Sequence, residues 1–303
     1  MNAKTTSLWR AIAVDNLSGA SEIYARVLQL FMQHLSLLDQ TKAALQEWPQ
    51  WLRALLQAQP AMAPLYNLAN NLALIFEQES LSEKERIAQA LALLHKEILQ
   101  SPQANAAIAQ HAFPLLAEKP RVLTHSYSST VAAVLENAHA KGVKVEVYLS
   151  EGRPANEGRR MAERLARAGM PVHFFVDDAR ACFVNTVDLV LLGADWISEK
   201  AFVNKIGSRS LALLASVLKI PVVVLAGQNK LWPTYLPLGQ EPEQPHAEIW
   251  AEAPPNVKPH NFYFEDIELH HAYSVITEGG LASLERVQNE LLNFHAAEFW
   301  RRL

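Results

Sequence analysis

A single cysteine, Cys182, stands in a chain of 303 residues, so no intrachain disulfide can form. No apolar run reaches the length needed to cross a bilayer. The segment MNAKTTSLWRAIAVDN lacks the apolar core of a signal peptide, and with the lone thiol this sets the expectation of a soluble protein in a reducing, cytoplasmic setting. Long runs of Lys or Arg are also missing and the formal net charge is −4, so the electrostatic footprint of a nucleic-acid binder is absent. Neither a Gly-x-Gly-x-x-Gly nor a Walker loop occurs, which leaves dinucleotide and P-loop readings without support. The histidines lack metal-ligand spacing, and the adjacent His270 and His271 would point apart on a helix. No metal and no cofactor are expected.

What is there is a chain with 50% hydrophobic residues, enough for a sizeable core and, at this length, for two domains. Up to about Glu118 the apolar residues recur at helical spacing, as in Ile23, Val27, Leu30, Phe31, Leu35 and Leu38. Ser80 with Glu83, or Ser82 with Glu85, forms a capping box for a helix expected to run through Ile98 and to end at Ser101-Pro102. After Lys119-Pro120 the period changes. Short β-rich runs at 122–125, 143–149, 172–176, 189–192 and 222–225 alternate with helical stretches at 129–140, 157–168 and 208–218. Gly142 and Gly169 read as helix stops, and the Pro-rich stretch from Pro233 to Pro259 as an excursion. The fold class is therefore α/β, with a helical N-terminal domain (1–118) followed by a Rossmann-like parallel-sheet domain (119–303).

In such sheets ligands bind outside the carboxyl ends of the strands, where several strand-to-helix junctions here carry polar residues. Asp195, directly after Leu191-Leu192-Gly193-Ala194, reads as a partly desolvated acid suited to proton transfer, or as a helix cap. Asn204, Lys205 and the amides from Gly207 to Ser210 read as the N-terminus of a helix that cradles phosphate, with Lys205 also open to pairing with Asp195. Ser128 and Ser129 are helix caps or ligand contacts. Arg153 is a ligand for phosphate or carboxylate, or the partner of Glu151 or Asp178. Arg159 and Arg160 read as a solvated helix face, and Cys182 as a packed thiol.

The segments THSYSSTV, EGRPANEGRRMAERLARAG, GADWISEKAFVNKIGSRSLALLA and FEDIELHHAYSVITEGG resemble one family over the whole stretch from about Arg121. It joins the α, β and δ regulatory subunits of translation initiation factor 2B to methylthioribose-1-phosphate and ribose-1,5-bisphosphate isomerases. The resemblance implies a homodimer formed through the C-terminal domain and a site for a phosphorylated sugar or a nucleotide between the two domains. It matches Asp195 to a catalytic aspartate, and Asn204 with Lys205 to a substrate-binding pair. Gly19 and Ala20 match a phosphate-gripping loop, Arg153 the arginine of Glu-Thr-Arg-Pro, and Lys230 a late lysine. Glu157 falls among the substrate-binding positions.

Ser126 departs from the pattern, because the isomerases carry a cysteine there as the partner acid/base. A thiol with a pKa near ~8.5 exchanges protons readily at neutral pH, whereas a serine hydroxyl needs the help of a base. Two functions follow as expectations: an aldose-1-phosphate to ketose-1-phosphate isomerase working through Asp195 and Ser126, or a regulatory subunit that binds the same ligand without turning it over.

Overall fold

The computed structural model describes Trp9, Ile12 and residues 20–41 and 45–302. Among these residues, four helices of at least ten residues precede the first strand: α1 (Ala20–Thr41), α2 (Trp48–Ala58), α3 (Ala63–Phe76) and α4 (Glu83–Glu118). Ile23, Val27, Leu30, Phe31 and Leu35 of α1 recur every three or four residues and are all buried, so one stripe of the helix faces the core. The capping box at the start of α4 is Ser82 with Glu85: the Glu85 amide donates to Ser82 Oγ at 3.3 Å and the Ser82 amide to Glu85 Oε2 at 2.8 Å.

That helix does not end at Ser101-Pro102 but continues through Pro102 and Pro114. Each internal proline costs roughly 3 kcal/mol through a lost hydrogen bond and a crowded carbonyl. Burial on both halves of the helix offsets this cost. Ile87, Ala90 and Leu94 pack in the helical core, whereas Ile108, Ala109, Ala112 and Leu116 pack in the core of the sheet. The chain end returns the favour: Ala297, Phe299 and Trp300 lie in the helical core, with Trp300 stacked on Tyr66 at 5.8 Å between ring centres.

From residue 121 strands and helices alternate as β1 (Arg121–His125), α5 (Ser129–Ala140), β2 (Glu146–Ser150), α6 (Glu157–Arg167), β3 (Val172–Phe175), α7 (Arg180–Phe183) and β4 (Leu189–Gly193). Then come β5 (Trp196–Ile197), β6 (Ala201–Lys205), α8 (Ser208–Val217), β7 (Val222–Leu225), α9 (Ala247–Trp250), β8 (Phe264–Glu268), β9 (Ser274–Thr277), β10 (Gly280–Ala282) and α10 (Leu284–Leu292). Val122, Leu123, Leu189, Val190, Leu191, Leu192 and Val222 to Leu225 are all buried, as strands covered on both faces must be.

The main sheet has the order β10-β9-β7-β4-β1-β2-β3, parallel except for the antiparallel pair β9–β10. Strand order reverses at β1, which pairs with β2 on one side and β4 on the other. A crevice opens at such a switch point. A second, small antiparallel sheet has the order β5-β6-β8 and begins just after β4. No described helix is long and apolar enough to cross a membrane.

Candidate active site

The carboxyl ends of β1 and β4 deliver Ser126 and Asp195 to one pocket, at the switch point of the sheet. Ser126 is buried and holds a left-handed backbone with φ of 63°. Ser128 caps α5, its Oγ accepting from the Val131 amide at 3.3 Å, and both Ser128 and Ser129 line the pocket. Cap and contact are thus compatible. The Asp195 amide donates to the Val203 carbonyl at 2.9 Å, which fixes the backbone under the carboxylate. Burial raises the Asp195 pKa above the usual carboxylate range, against the pull of Lys230 and then Lys205.

Lys230 comes from the turn after β7 and lies 3.9 Å from Asp195 Oδ1, with its ammonium donating to the Ala194 carbonyl. Burial pushes Lys230 below its usual range while Asp195 opposes the shift. Lys205 is only 2% exposed and donates to Glu157 Oε1 at 2.7 Å, with its Nζ 4.4 Å from the centre of the Tyr263 ring. The ion-pair partner of Lys205 is therefore Glu157, and that of Asp195 is Lys230.

Glu157 opens α6. Gly158 beside it permits the helix to start on the end of β2, since a Cβ there would lie 2.1 Å from the Ser150 carbonyl oxygen. Glu157 Oε2 is buried and finds no hydrogen-bond donor among the described residues. A buried acceptor left unpaired costs roughly 1–3 kcal/mol. Two buried ammonium groups, an acid with a raised pKa and an unpaired carboxylate oxygen in one pocket suit an anionic, hydroxylated ligand.

The sequence pattern of the initiation factor 2 subunit family matches residues 16–280. The chain belongs to that family. Ribose 1,5-bisphosphate isomerase of Archaeoglobus fulgidus is 34% identical over 184 residues, which are 60% of this chain and 58% of that protein. The same-named proteins of Haloferax volcanii and Methanocaldococcus jannaschii match over 41% and 54% of their own lengths, so the matched stretch spans about half of these curated relatives.

A putative translation initiation factor eIF-2B subunit 2-like protein of Pyrococcus horikoshii is 27% identical over 76% of this chain and 80% of its own. Among solved structures, the P. horikoshii OT3 translation initiation factor eIF-2B superposes with a TM-score of 0.76 at 22% identity, covering 93% of this chain and 98% of that one. The 5-methylthioribose 1-phosphate isomerase of the same organism gives 0.69 at 22%, covering 95% and 87%. At these identities the likeness concerns the fold, helical first and α/β after.

Within this family fold, Ala20, Ser126, Glu157, Asp195, Asn204, Lys205 and Lys230 all line the one pocket. Gly19 lies outside the described residues. Arg153 does not line the pocket: its backbone amide donates to Asp177 Oδ2 at 2.7 Å, and its exposed guanidinium reaches the Glu248 carbonyl at 3.3 Å. Neither Glu151 nor Asp178 is its partner in these contacts. Asn204 and Lys205 sit on β6 rather than at a helix start, and Asn204 Nδ2 donates to Ser208 Oγ at 2.9 Å. The expected anion cradle of α8 is filled by the protein itself, because the Gly207 and Arg209 amides donate to Glu265 Oε1 at 2.6 and 2.9 Å.

Arg160, expected on a solvated face, also lines the pocket; it pairs with Glu22 at 2.5 Å and lies 4.2 Å over the Tyr127 ring. Its spacing of three from Glu157 on one helix is the signal that could have placed it. Glu241, from the Pro-rich excursion, lines an adjoining pocket that shares Asp195; burial, and after it the charge of Asp195, raise its pKa. No local pattern in that excursion marked it. Cys182 is exposed rather than packed, on the one-turn helix α7. The rings of His270 and His271 do not diverge but lie 4.1 Å apart, because they sit on a short 3-10 turn.

Behind the pocket lies a second charged cluster. His125 Nδ1 meets Ser150 Oγ at 2.7 Å and Nε2 the Ile206 carbonyl at 2.8 Å. Burial, then the charge of Arg180, lower its pKa to about 4. Arg180 donates to the carbonyls of Asp177 at 2.6 Å and Gly207 at 2.7 Å. Asp177 accepts from the amides of Gly152 and Arg153; although burial acts to raise it, these bonds hold its pKa below the ordinary value.

Proposed function

We propose that this chain is a sugar-phosphate isomerase that converts an aldose 1-phosphate into the ketose 1-phosphate. The observation that carries the reading is Asp195, an acid raised in pKa by burial and set near two buried lysines at the switch point of the sheet. A phosphate ester on C1 blocks spontaneous ring opening, so a proton must be delivered to the ring oxygen. Protonated Asp195 delivers it. Lys205, Lys230 and the amides at the start of α5 hold the phosphate and stabilise the charge that develops as the ring opens. The names of the isomerases among the relatives agree with this substrate class.

One observation favours a second reading, a regulatory subunit that binds the ligand without converting it. Ser126 stands where the isomerases that the chain resembles have a cysteine, and the neighbouring His125 has both ring nitrogens engaged elsewhere, so it offers Ser126 no base. The reading also includes a division into two domains after Glu118, assembly as a homodimer through the C-terminal part, and a cytoplasmic location.

The test is conversion of ribose 1,5-bisphosphate and methylthioribose 1-phosphate by the wild type and Ser126→Cys, with ligand-induced shifts in Tm measured in parallel. Turnover by the wild type or by Ser126→Cys supports the isomerase. A shift in Tm without turnover in either protein supports the regulatory subunit.

A further inference from the structure

If Asp195 gives a proton to the ring oxygen, the balance of the reaction requires a second group. Converting an aldose 1-phosphate into a ketose 1-phosphate turns the hydroxyl on C2 into a carbonyl, so the O2 proton must leave. Ser126 is poorly equipped to take it, because both ring nitrogens of His125 are engaged elsewhere. The pocket contains another carboxylate. A Cβ built on Gly152 would lie 3.3 Å from Ser126 Cα and 3.5 Å from Glu157 Oε2, so this oxygen and the Ser126 loop face each other across a residue that has no side chain. Glu157 Oε1 is engaged by Lys205, while Oε2 has no donor among the described residues. The carboxylate is oriented through one oxygen, while the other is buried without a donor among the described residues.

We propose, resting on the isomerase reading, that Glu157 is the second catalytic carboxylate: through Oε2 it accepts the hydrogen bond, and then the proton, of the sugar hydroxyl on C2. The step balances within the pocket. The C1–O4 bond pair goes to O4, which takes the proton of Asp195. The hydrogen on C2 moves with its electron pair to C1. The O2–H bond pair becomes the second bond of the C2 carbonyl, and the O2 proton passes to Glu157. Asp195 ends as carboxylate and Glu157 as acid, and exchange with water resets both. Lys205 holds the carboxylate in place through Oε1. Two carboxyl groups with opposite starting roles make the missing thiol unnecessary.

The test uses the full chain as wild type, Glu157→Gln and Glu157→Asp. Two readouts are taken: kcat with ribose 1,5-bisphosphate, and Kd for ribose 1-phosphate against 2-deoxyribose 1-phosphate, which lacks the hydroxyl in question. Glu157→Gln should lower kcat about 100-fold or more. Glu157→Asp, which keeps the carboxylate, should restore part of the loss. The wild type should prefer the hydroxylated sugar by about tenfold or more, and Glu157→Gln should lose that preference.

Wild-type kcat in Glu157→Gln overturns the assignment and leaves the isomerase reading intact. Equal affinity of the wild type for the two sugars overturns the contact with O2, and needs no variant to fold. A wild type that discriminates between the sugars but converts nothing overturns the isomerase reading and the proton transfer, and supports the contact alone.

Discussion

Two buried charged clusters lie back to back under the loops of the sheet, and they differ in how completely their groups are satisfied. In the cluster of His125, Ser150, Asp177 and Arg180, both histidine nitrogens, the guanidinium and both Asp177 oxygens have near-ideal partners. In the cluster of Asp195, Lys230, Lys205 and Glu157, one ion pair is long at 3.9 Å and one carboxylate oxygen has no described donor. A finished network of buried charges holds a structure in place, because every desolvated group has recovered its bonds. An unfinished one, on the proposed function, has bonds left for a ligand. Stability should therefore depend on the first cluster, and turnover on the second.

The sharpest way to break this contrast is Arg180→Met. It leaves the buried carbonyls of Asp177 and Gly207 unpaired, so the expected loss is roughly 2–6 kcal/mol, read as a drop in Tm on the order of 10 °C. A drop of less than about 2 °C would contradict the structural role of the cluster.

The next effect is in pH. The folded pKa of His125, about 4, lies below its unfolded value near 6.5, so between these values the unfolded chain binds more protons and stability falls as pH falls. Above about 6.5 the contribution is complete. Asp177, also held low, acts in the same direction at the acid end. The slope of Tm against pH between about 6.5 and 4 should be reduced in His125→Asn, with an integrated difference on the order of 3 kcal/mol.

Gly207→Ala should cost less, about 2 kcal/mol, because φ is +97° and the new Cβ would meet Arg180 Nη1 at 2.6 Å. Denaturant midpoints measure it. The smallest effect belongs to Arg164, which pairs with Glu136 at 2.7 and 2.8 Å on a partly exposed face of α6. Arg164→Ala should cost under about 1 kcal/mol.

The sequence made the centre of the sheet readable because fully buried parallel strands are written as unbroken apolar runs, of which 189–192 and 222–225 are examples. It hid β6, where Ala201 to Lys205 alternate in burial and end on two polar residues that read equally well as a helix start. Pro102 looked like a helix end because the cost of a proline is local, whereas the packing that offsets it comes from two distant cores.

The site followed the same logic. That Asp195 and Ser126 line one pocket was legible from the strand before the first and the loop after β1 that carries the second. Which charges pair with which was not legible. Lys205 to Glu157 and Lys230 to Asp195 are contacts between segments 48 and 35 residues apart in sequence, and only the fold brings them together. The side of the loop that Arg153 faces is likewise a matter of its amide being tied to Asp177.

The central claim, that the unfinished cluster is the working one, is tested most directly by Asp195→Asn. This change keeps the shape of the side chain and removes its acid. Turnover of ribose 1,5-bisphosphate and the Tm of the same preparations are measured beside wild type. The account predicts a fall in kcat of about two orders of magnitude or more, with Tm changed by only a few degrees and the ligand-induced shift in Tm retained. Turnover equal to wild type in Asp195→Asn would contradict it.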